Sequence, residues 1–582
     1  MLYPCRSFYP LFILFIAFLT LGSCKNNETT KTETKEIVSS LKNSPKGLNP
    51  VINLSGDENH INGILHYPLA DYNPVSLQFE PILIKAVPIP ELVDEGPYEG
   101  QIRYDMEIIP EASWDNGDPI TGYDYAFTIK SILHPQSNAI RYRAYLSKIS
   151  GVVVDKDNPK KFAVYLDQRN IADVELVSGI PILPAYHYDP SSSLKSVTIA
   201  ELKDEALYAE LEAINPEVSD FVESFNSVKY SRDSIVGCGR YRLKEWLSDQ
   251  YIKLERKDDH FFEGSDNPMK LGEPQEIIFL LSPDQASSLA QLKSGNLDIY
   301  DQIDYQQMAD LKADENYRER FDFKSVSIPR AYYLSINSRK PELQDKEVRQ
   351  ALGYLMDVDT LISSYENGYG KRISSPFLSV GDKSEVTPPT YDLEKAIQLL
   401  EKAGWKDSNG NQIRDKSIDG ELVELDIQFM STSSQLGQLV ANIFKQLCRP
   451  AGVNIDIQTV DQTTLRKQLN NLEFEMTTAA ASQSLAPYDP YALLHTDNSD
   501  PGEANVFNFG NSKSDSLIEL IRTTTEVQER DKAYIELEKI LNDEMPIIFL
   551  YSPIVHIVHK KEVNGITSIK KPGFVIQSFK RD

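Results

Sequence analysis

Apolar and polar positions along the chain predict a body that mixes strands and helices. Residues 103–109 and 161–166 have the apolar content of strands, and residues 251–255 alternate apolar and polar side chains as in a half-buried strand. Apolar residues at helical spacing predict helices at 347–361, 393–403, 435–447 and 514–541. Gly404 follows the second of these helices, which is the glycine signal expected where a helix ends.

The start of the chain carries a separate apolar pattern. Leu11 to Leu21 is a mostly apolar run preceded by one positive charge at Arg6. The run is shorter than the roughly 20 residues that span a bilayer, and it fits the apolar part of a secretory signal peptide. It ends at LGSC, residues 21–24, which resembles the lipobox of bacterial lipoproteins. We therefore expect residues 1–23 to be a signal peptide and Cys24 to be acylated. The alternatives are a plain cleaved signal or a poor transmembrane helix with a chance cysteine.

Residues 24–46 are expected to carry the lipid on Cys24 and to form a flexible polar tether behind it. The stretch after Cys24 has no aromatic residue and is rich in polar side chains. No second apolar run of membrane-spanning length follows it. We expect the remaining chain to lie in the cell envelope, on the periplasmic or extracellular face of a membrane, anchored to the lipid bilayer through Cys24.

Charge and cysteine content narrow the function classes. The chain has 60 Lys and Arg against 86 Asp and Glu, a formal net charge of −26, which argues against a general nucleic-acid binder. Four cysteines in 582 residues exclude a disulfide scaffold. Only Cys238 and Cys448 remain once the signal peptide and Cys24 are set aside. They could pair, but two free buried thiols are the expected state.

Catalytic signatures are absent from the sequence. It contains no HExxH, GxSxG, P-loop or GxGxxG motif. His556 and His559 are three residues apart in a strand-like stretch, which puts them on opposite faces of a strand. We therefore predict no catalytic residues and no cofactor.

One polar loop has the beginning of a calcium-binding pattern. Asp407, Asn409 and Asn411 stand at loop positions 1, 3 and 5. Gln412 stands where a calcium loop needs glycine, and Ile418 stands where it needs a bidentate glutamate. Asn-Gly is also a common turn sequence, so a plain turn is the expected structure and a metal site is the weaker alternative.

A resemblance to a known family emerges when several segments are read in order. Residues 113–130, SWDNGDPITGYDYAFTIK, resemble a signature of the family 5 extracellular solute-binding proteins, the oligopeptide- and dipeptide-binding components of ABC importers. In this segment Asn116 to Pro119 predict a turn and Thr121 predicts a helix cap. Further segments agree in the same order: GCGRYRLKEW at 237–246, LKSGNLD at 292–298, EVRQAL at 347–352 and YDLEKAIQLLEKAGW at 391–405. The ordered match extends from about residue 47 to about residue 565.

The resemblance implies a fold and a domain organisation. It implies an α/β, two-lobed periplasmic-binding-protein-like fold of type II, in the large class with three subdomains, with a hinge and a ligand cleft between the lobes. The core of the first lobe would comprise residues 47–75, 186–302 and 546–582. Residues 76–185 would add a further subdomain to it, and residues 303–545 would form the second lobe. Such proteins close around their ligand by hinge motion.

One departure from the family pattern concerns the ligand. In many peptide receptors of the family, an aspartate a few residues before the Asp-Pro pair binds the α-amino group of the peptide. Aligned on Asp489-Pro490, this chain has Gln483 in place of the family tryptophan and Ala486 in place of that aspartate. A buried ammonium group without a carboxylate is costly. Either Asp489 or another acid takes the role, or the ligand has no free amine there.

Candidate binding residues follow from position in the family. Three lie on an early loop that lines the cleft in relatives, two enter the second lobe, and the rest form or follow a strand beside the ligand. They are Asn59, His60 and Ile61; Arg330 and Tyr332; and Ala480, Ala481, Ser482, Gln483, Ser484, Tyr488 and Asp489.

The resemblance implies a non-enzymatic receptor of an ABC importer. It would capture a solute, in the first place an oligopeptide or dipeptide, and deliver it to a permease in the inner membrane. We expect a monomer whose partners are the solute, that permease and the lipid bilayer, without nucleic acid. Alternatives are a receptor of the same fold for a nickel chelate, heme, opine or sugar, a sensory receptor without a permease, and, more remotely, a secreted hydrolase.

Overall fold

The computed structural model describes residues 36–53, 55–377, 383–482, 485–524 and 526–581. Its strands are β1 (Glu36–Leu41), β2 (Ala70–Tyr72), β3 (Phe79–Pro81), β4 (Pro90–Leu92), β5 (Ile102–Glu107), β6 (Ile149–Val154), β7 (Lys161–Leu166), β8 (Tyr241–Leu247), β9 (Tyr251–Arg256), β10 (Glu276–Leu281), β11 (Ile299–Ile303), β12 (Phe321–Ser327), β13 (Arg330–Ile336), β14 (Gly370–Arg372), β15 (Asp415–Ile418), β16 (Glu421–Glu424), β17 (Asp426–Ser431), β18 (Asn454–Thr459), β19 (Met476–Ser482), β20 (Ile547–Phe549), β21 (Tyr551–Lys560), β22 (Val563–Thr567) and β23 (Phe574–Arg581).

Helices connect these strands. The α-helices are α1 (Gly56–Leu65), α2 (Gly122–Leu133), α3 (Ile140–Leu146), α4 (Asp173–Ser178), α5 (Ala185–Tyr188), α6 (Ile199–Lys203), α7 (Glu205–Ile214), α8 (Glu217–Phe225), α9 (Gln285–Ser294), α10 (Tyr305–Ala313), α11 (Glu315–Arg320), α12 (Lys346–Leu355), α13 (Val358–Tyr365), α14 (Leu393–Lys402), α15 (Gln435–Cys448), α16 (Gln462–Asn470), α17 (Tyr491–Leu494), α18 (Ser512–Thr523) and α19 (Val527–Glu544). Short 3₁₀ or π turns occur at Lys229–Asp233, Pro341–Leu343, Arg449–Ala451 and Thr496–Asn498.

Three main sheets organise the two-lobed α/β body. The first lobe contains an eight-stranded sheet in the order β12-β21-β11-β1-β10-β9-β8, with β14 pairing to β21. A four-stranded sheet, β4-β5-β7-β6, forms the additional part of that lobe. The second lobe contains a five-stranded sheet in the order β18-β17-β19-β13-β20. Each sheet covers its own core, and Trp405 lies fully buried in the core of the second lobe.

The chain passes between the large sheet and the five-stranded sheet at two places. Strand β12 ends at Ser327 in the large sheet, and β13 begins at Arg330 in the other. Strand β20 ends at Phe549 in the five-stranded sheet, and β21 begins at Tyr551 in the large one. Two adjacent crossings of this kind form a hinge, because only a few backbone torsions there need to change when the lobes move.

The sheets divide the chain at slightly different residues from the expected lobe boundaries. We expected the second lobe to cover residues 303–545. Strand β12 pairs with β21 over seven residues of the large sheet, so residues up to Ser327 lie with the first lobe. Strand β20 pairs with β13, which keeps Ile547–Phe549 in the sheet of the second lobe. The difference arises because a hinge strand carries no sequence signal for the sheet that it joins.

Local signals predicted several element ends correctly. Thr121 caps α2 and forms a capping box with Asp124, as its position predicted. Helix α14 ends at Lys402, two residues before Gly404, whose φ of +86° is the left-handed conformation that glycine adopts readily. The helix predicted at 347–361 is instead two helices, because the side chain of Asp357 accepts from the amide of Thr360 and caps a new helix, α13.

Both remaining cysteines are free. Cys238 and Cys448 are each buried and unpaired within the part of the chain that the structure describes. Burial raises the pKa of the Cys238 thiol to about 11, so it stays protonated at neutral pH. The expected pair of buried free thiols is confirmed.

Candidate ligand-binding site between the lobes

Two neighbouring strands of the second lobe bring most of the predicted binding residues together. Strands β13 and β19 are antiparallel, and their register places Arg330 opposite Ser482 and Tyr332 opposite Ala480. Both strand ends lie next to the β12–β13 crossing, where the two lobes meet. The side chains at this end are accessible: Ser482 and Ala480 are exposed, and Arg330 is half-buried. Gln483 and Ser484, also predicted to bind, lie outside the described residues.

Asp489 is already engaged. Its Oδ2 accepts hydrogen bonds from Arg522 Nε at 3.1 Å and from Asn170 Nδ2 at 2.9 Å. Its Oδ1 accepts from the amide of Tyr491 at 3.0 Å. The charge of Arg522 balances this carboxylate, so Asp489 is poorly placed to take over the binding of a ligand amine.

Tyr488, another predicted binding residue, is held in the second lobe. Its ring packs against Phe377 at 5.7 Å, and its backbone carbonyl accepts a hydrogen bond from the hydroxyl of Tyr534. Burial raises the pKa of the Tyr488 phenol. Tyr488 therefore takes part in the packing of the second lobe, and a ligand contact for it stays a prediction.

Two contacts from the first lobe reach across to the second. Asn170, which follows β7, donates to Asp489 as described, and its neighbour Ile171 packs against an apolar cluster of the second lobe that includes Phe377. Lys571, in the turn between β22 and β23, donates through Nζ to Ser482 Oγ at 3.3 Å. The two lobes are thus in contact at two places that involve predicted binding residues, Asp489 and Ser482.

The placement of Asn59, His60 and Ile61 on a loop is wrong. They lie within α1, because Ser55 and Glu58 form a capping box that starts a helix. Ile61 is fully buried in the core of the first lobe. The His60 ring contacts Phe279 at 5.2 Å, and burial lowers its pKa to about 4, so it is neutral at pH 7. A binding role for these three residues stays a prediction.

The polar loop at 407–415 folds as a turn. Asp407 accepts from the amides of Gly410 and Gln412 at 2.7 and 3.1 Å, and Asn409 accepts from the amide of Asn411 at 2.9 Å. These side-chain oxygens are used within the loop itself. Among the described residues, no group of three or more His, Cys, Asp or Glu side chains is arranged to hold a metal ion.

A surface cavity of about 730 Å³ lies away from the strand ends, between this loop and residues 449–452. Its wall is braced by Arg414, which donates to the carbonyls of Ala451 and Trp405, both at 2.8 Å. We prefer the strand ends as the site because contacts from both lobes converge there, whereas this cavity opens on one lobe only.

The predicted membrane anchor cannot be compared with the structure. Residues 1–35, with the predicted signal peptide and Cys24, lie outside the described residues. Within the part that is described, none of the helices is both long enough and apolar enough to cross a membrane.

Two residues of the site, Asn170 and Lys571, were not predicted from the sequence. Each lies in a segment without a family motif, and each approaches the second lobe only because the lobes pack together.

Two lobes, two chain crossings and contacts that meet between the lobes define a solute-binding protein of the periplasmic binding type. The family described as "Bacterial extracellular solute-binding proteins, family 5 Middle" matches residues 88–505. The chain therefore belongs to family 5 of the bacterial extracellular solute-binding proteins, whose members serve ABC transporters.

Individual relatives differ in what their names say they bind. The oligopeptide-binding protein AppA of Bacillus subtilis (strain 168) is 24% identical over 473 residues, which cover 80% of this chain and 78% of that protein. The nickel-binding periplasmic protein of Escherichia coli (strain K12) is 24% identical over 419 residues, which cover 68% of this chain and 72% of that protein. The solved structure of Bacillus subtilis AppA in complex with a nonapeptide superposes with a TM-score of 0.64, at 21% identity, over 94% of this chain and 99% of that one.

Proposed function

We propose that this protein is a lipid-anchored receptor that captures an oligopeptide or dipeptide between its lobes and delivers it to the permease of an ABC importer. The observation that carries the proposal is the convergence of β13 and β19 at the interlobe contact. Extended strand ends at the junction of two lobes can offer backbone groups to an extended peptide. The peptide-binding names among the relatives support the same solute class.

Native mass spectrometry tests the solute class. The chain from Lys25 onward should carry a ladder of bound masses as purified, and the ladder should disappear after mild denaturation and refolding. Fragmentation of the bound species should give short peptides. A single non-peptide mass would overturn peptide binding and leave a receptor for another solute, such as a nickel chelate.

One observation favours a solute without a free amino group, such as a nickel chelate. Ala486 has no carboxylate where the family pattern has its amine-binding aspartate, and Asp489 is balanced by Arg522. Neither residue offers a free acid to a peptide α-amino group. A peptide bound here must be held mainly by other groups, which the further inference below addresses.

Replacement of Cys24 with serine tests the anchor. We expect Cys24→Ser to move from the membrane fraction to the soluble fraction and to lose palmitate labelling. The variant lacks the cysteine that is expected to carry the acyl chains, and stable attachment needs several such chains. Cys5→Ser is the matched control, since it lies within the predicted signal peptide and should leave both properties unchanged. Retention of Cys24→Ser in salt-washed membranes would contradict lipid anchoring through this residue.

A further inference from the structure

Two positively charged side chains from different lobes meet at the end of β19. Ser482 is the last residue of that strand and lies opposite Arg330, the first residue of β13. Its Oγ accepts a hydrogen bond from Lys571 Nζ at 3.3 Å. Arg330 belongs to the sheet of the second lobe, and Lys571 to a hairpin whose strands pack in the core of the first lobe. Ser482 therefore lies next to one cationic side chain from each lobe.

Neither cation has a carboxylate partner within the described ranges. The guanidinium of Arg330 forms no hydrogen bond or ion pair with the residues that the structure describes, and Lys571 has only the hydroxyl of Ser482. The adjacent Lys570 differs, because it forms an ion pair with Asp71 at 2.5 Å.

The two charges act on each other. Lys571 is exposed, and the partial loss of hydration around its ammonium group lowers its pKa, which the positive charge of Arg330 lowers further. Because the two residues belong to different lobes, their repulsion opposes the contact between the lobes. A negative charge placed between them would turn that repulsion into two attractions and would favour the closed arrangement.

We propose that Arg330, Lys571 and Ser482 form a subsite for a carboxylate group of the solute. This rests on the proposed function, because every unmodified peptide ends in a carboxylate. The planar guanidinium of Arg330 can donate two parallel hydrogen bonds to a carboxylate, and Lys571 adds a compact charge from the opposite side. Ser482 supplies a hydroxyl donor when Lys571 turns to the solute. Such a subsite would hold a peptide by its carboxylate end, which compensates for the amine contact that Ala486 cannot make.

A pair of peptide mixtures provides the test. The probes are peptides of three to six residues without Asp or Glu, prepared once with free C-terminal carboxylates and once as C-terminal amides. Binding to the full chain in detergent is measured by native mass spectrometry and by calorimetric titration. We expect the wild type to bind the carboxylate mixture about tenfold or more tightly than the amide mixture. A third mixture, amidated but carrying one Glu, asks whether a side-chain carboxylate serves equally well.

Three variants assign the effect to the proposed residues. Arg330→Gln and Lys571→Gln should each lose about tenfold or more of the affinity for carboxylate peptides while binding the amides as the wild type does. Arg330→Lys should retain part of the affinity, because it keeps the charge without the planar fork. Lys580→Gln is the matched control, since it removes an exposed lysine from β23 of the same hairpin. Unchanged amide binding also shows that a variant has folded.

The outcomes separate the subsite from the function. Equal binding of carboxylate and amide peptides by the wild type would overturn the subsite and leave peptide binding intact. Binding of no peptide would overturn the proposed function, and succinate and inorganic phosphate then serve as probes in a thermal-shift assay. Stabilisation by succinate that Arg330→Gln abolishes would uphold the carboxylate subsite. A shift by phosphate alone, or by neither anion, would overturn it.

Discussion

Replacing Asp298 with alanine is expected to lower the free energy of unfolding by about 3–5 kcal/mol. The Asp298 side chain is only 2% exposed and lies within an ion-paired network. Its Oδ1 pairs with Lys560 Nζ at 2.7 Å and with Arg581 Nη2 at 3.0 Å. Its Oδ2 accepts from the amide of Val38 at 2.9 Å. The carboxylate thus ties β1, β21 and β23 of the first lobe together.

The cost comes mainly from what the substitution leaves behind. Without Asp298, Lys560 and Arg581 keep their charges in a mostly buried setting, and the amide of Val38 loses its side-chain acceptor. Urea unfolding of the purified chain measures the change as a shift in midpoint at constant slope.

Two further variants calibrate this measurement. Asp298→Asn keeps the shape and removes the charge, so its loss should be smaller than that of the alanine variant. Asp105→Ala, which removes an exposed ion pair with Arg103, should have little effect. If Asp298→Ala unfolded at the wild-type midpoint, the network would contribute nothing to stability.

Much of the fold could be predicted because its signals are local or occur in a fixed order. The helix before Gly404 needs only apolar spacing and a terminal glycine. The capping signal of α1, Ser55 followed by Glu58, was present in the sequence, yet position in the family led to the expectation of a loop at residues 59–61. The helix break at Asp357 was not predicted, because the apolar spacing continues through the residue that caps the next helix.

The candidate site could be predicted only in part. Arg330, Tyr332 and residues 480–482 are adjacent because antiparallel pairing of β13 and β19 puts them there, and the order of family segments located both strands. Asn170 meets Asp489 across 319 positions of sequence, and Lys571 meets Ser482 across 89. Such contacts depend on how the lobes pack, and neither composition nor periodicity encodes that packing.

Acid should destabilise the protein before most carboxylates titrate. Burial lowers the pKa of five histidines: to about 3 for His66, to about 4 for His60, His134 and His260, and also for His556. An unfolded histidine has a pKa near 6.5, so below that pH the unfolded state binds more protons than the folded one. Stability therefore falls as the pH is lowered, by about 1.4 kcal/mol per pH unit for each fully shifted histidine.

Among the described residues, six carboxyls whose pKa is raised by burial act in the opposite direction: Asp124, Asp173, Asp301, Glu342, Glu366 and Glu475. Burial raises the pKa of Asp173 to about 6 and that of Asp301 to about 7, so the folded state takes up their protons first and gains stability as the pH falls. We expect the four strongly shifted histidines to outweigh the buried carboxyls, so the free energy of unfolding should fall by on the order of 1–3 kcal/mol between pH 6 and pH 5. Urea midpoints measured across this range should fall steadily, and a flat or rising profile would contradict the buried neutral histidines.

His66 allows this prediction to be tested at a single residue. Neither of its ring nitrogens has a hydrogen-bond partner among the described residues, and it is fully buried beside Gly237, so its cationic form has nothing to compensate for lost hydration. His66→Leu replaces the ring with an apolar side chain of similar volume. At pH 8, where His66 is neutral in both states, the variant should lie within about 1.5 kcal/mol of the wild type. Between pH 6 and pH 5 its loss of stability should be smaller than the wild-type loss by about 1 kcal/mol, because one proton-binding difference has been removed. An unchanged pH profile would mean that His66 can be protonated in the folded protein.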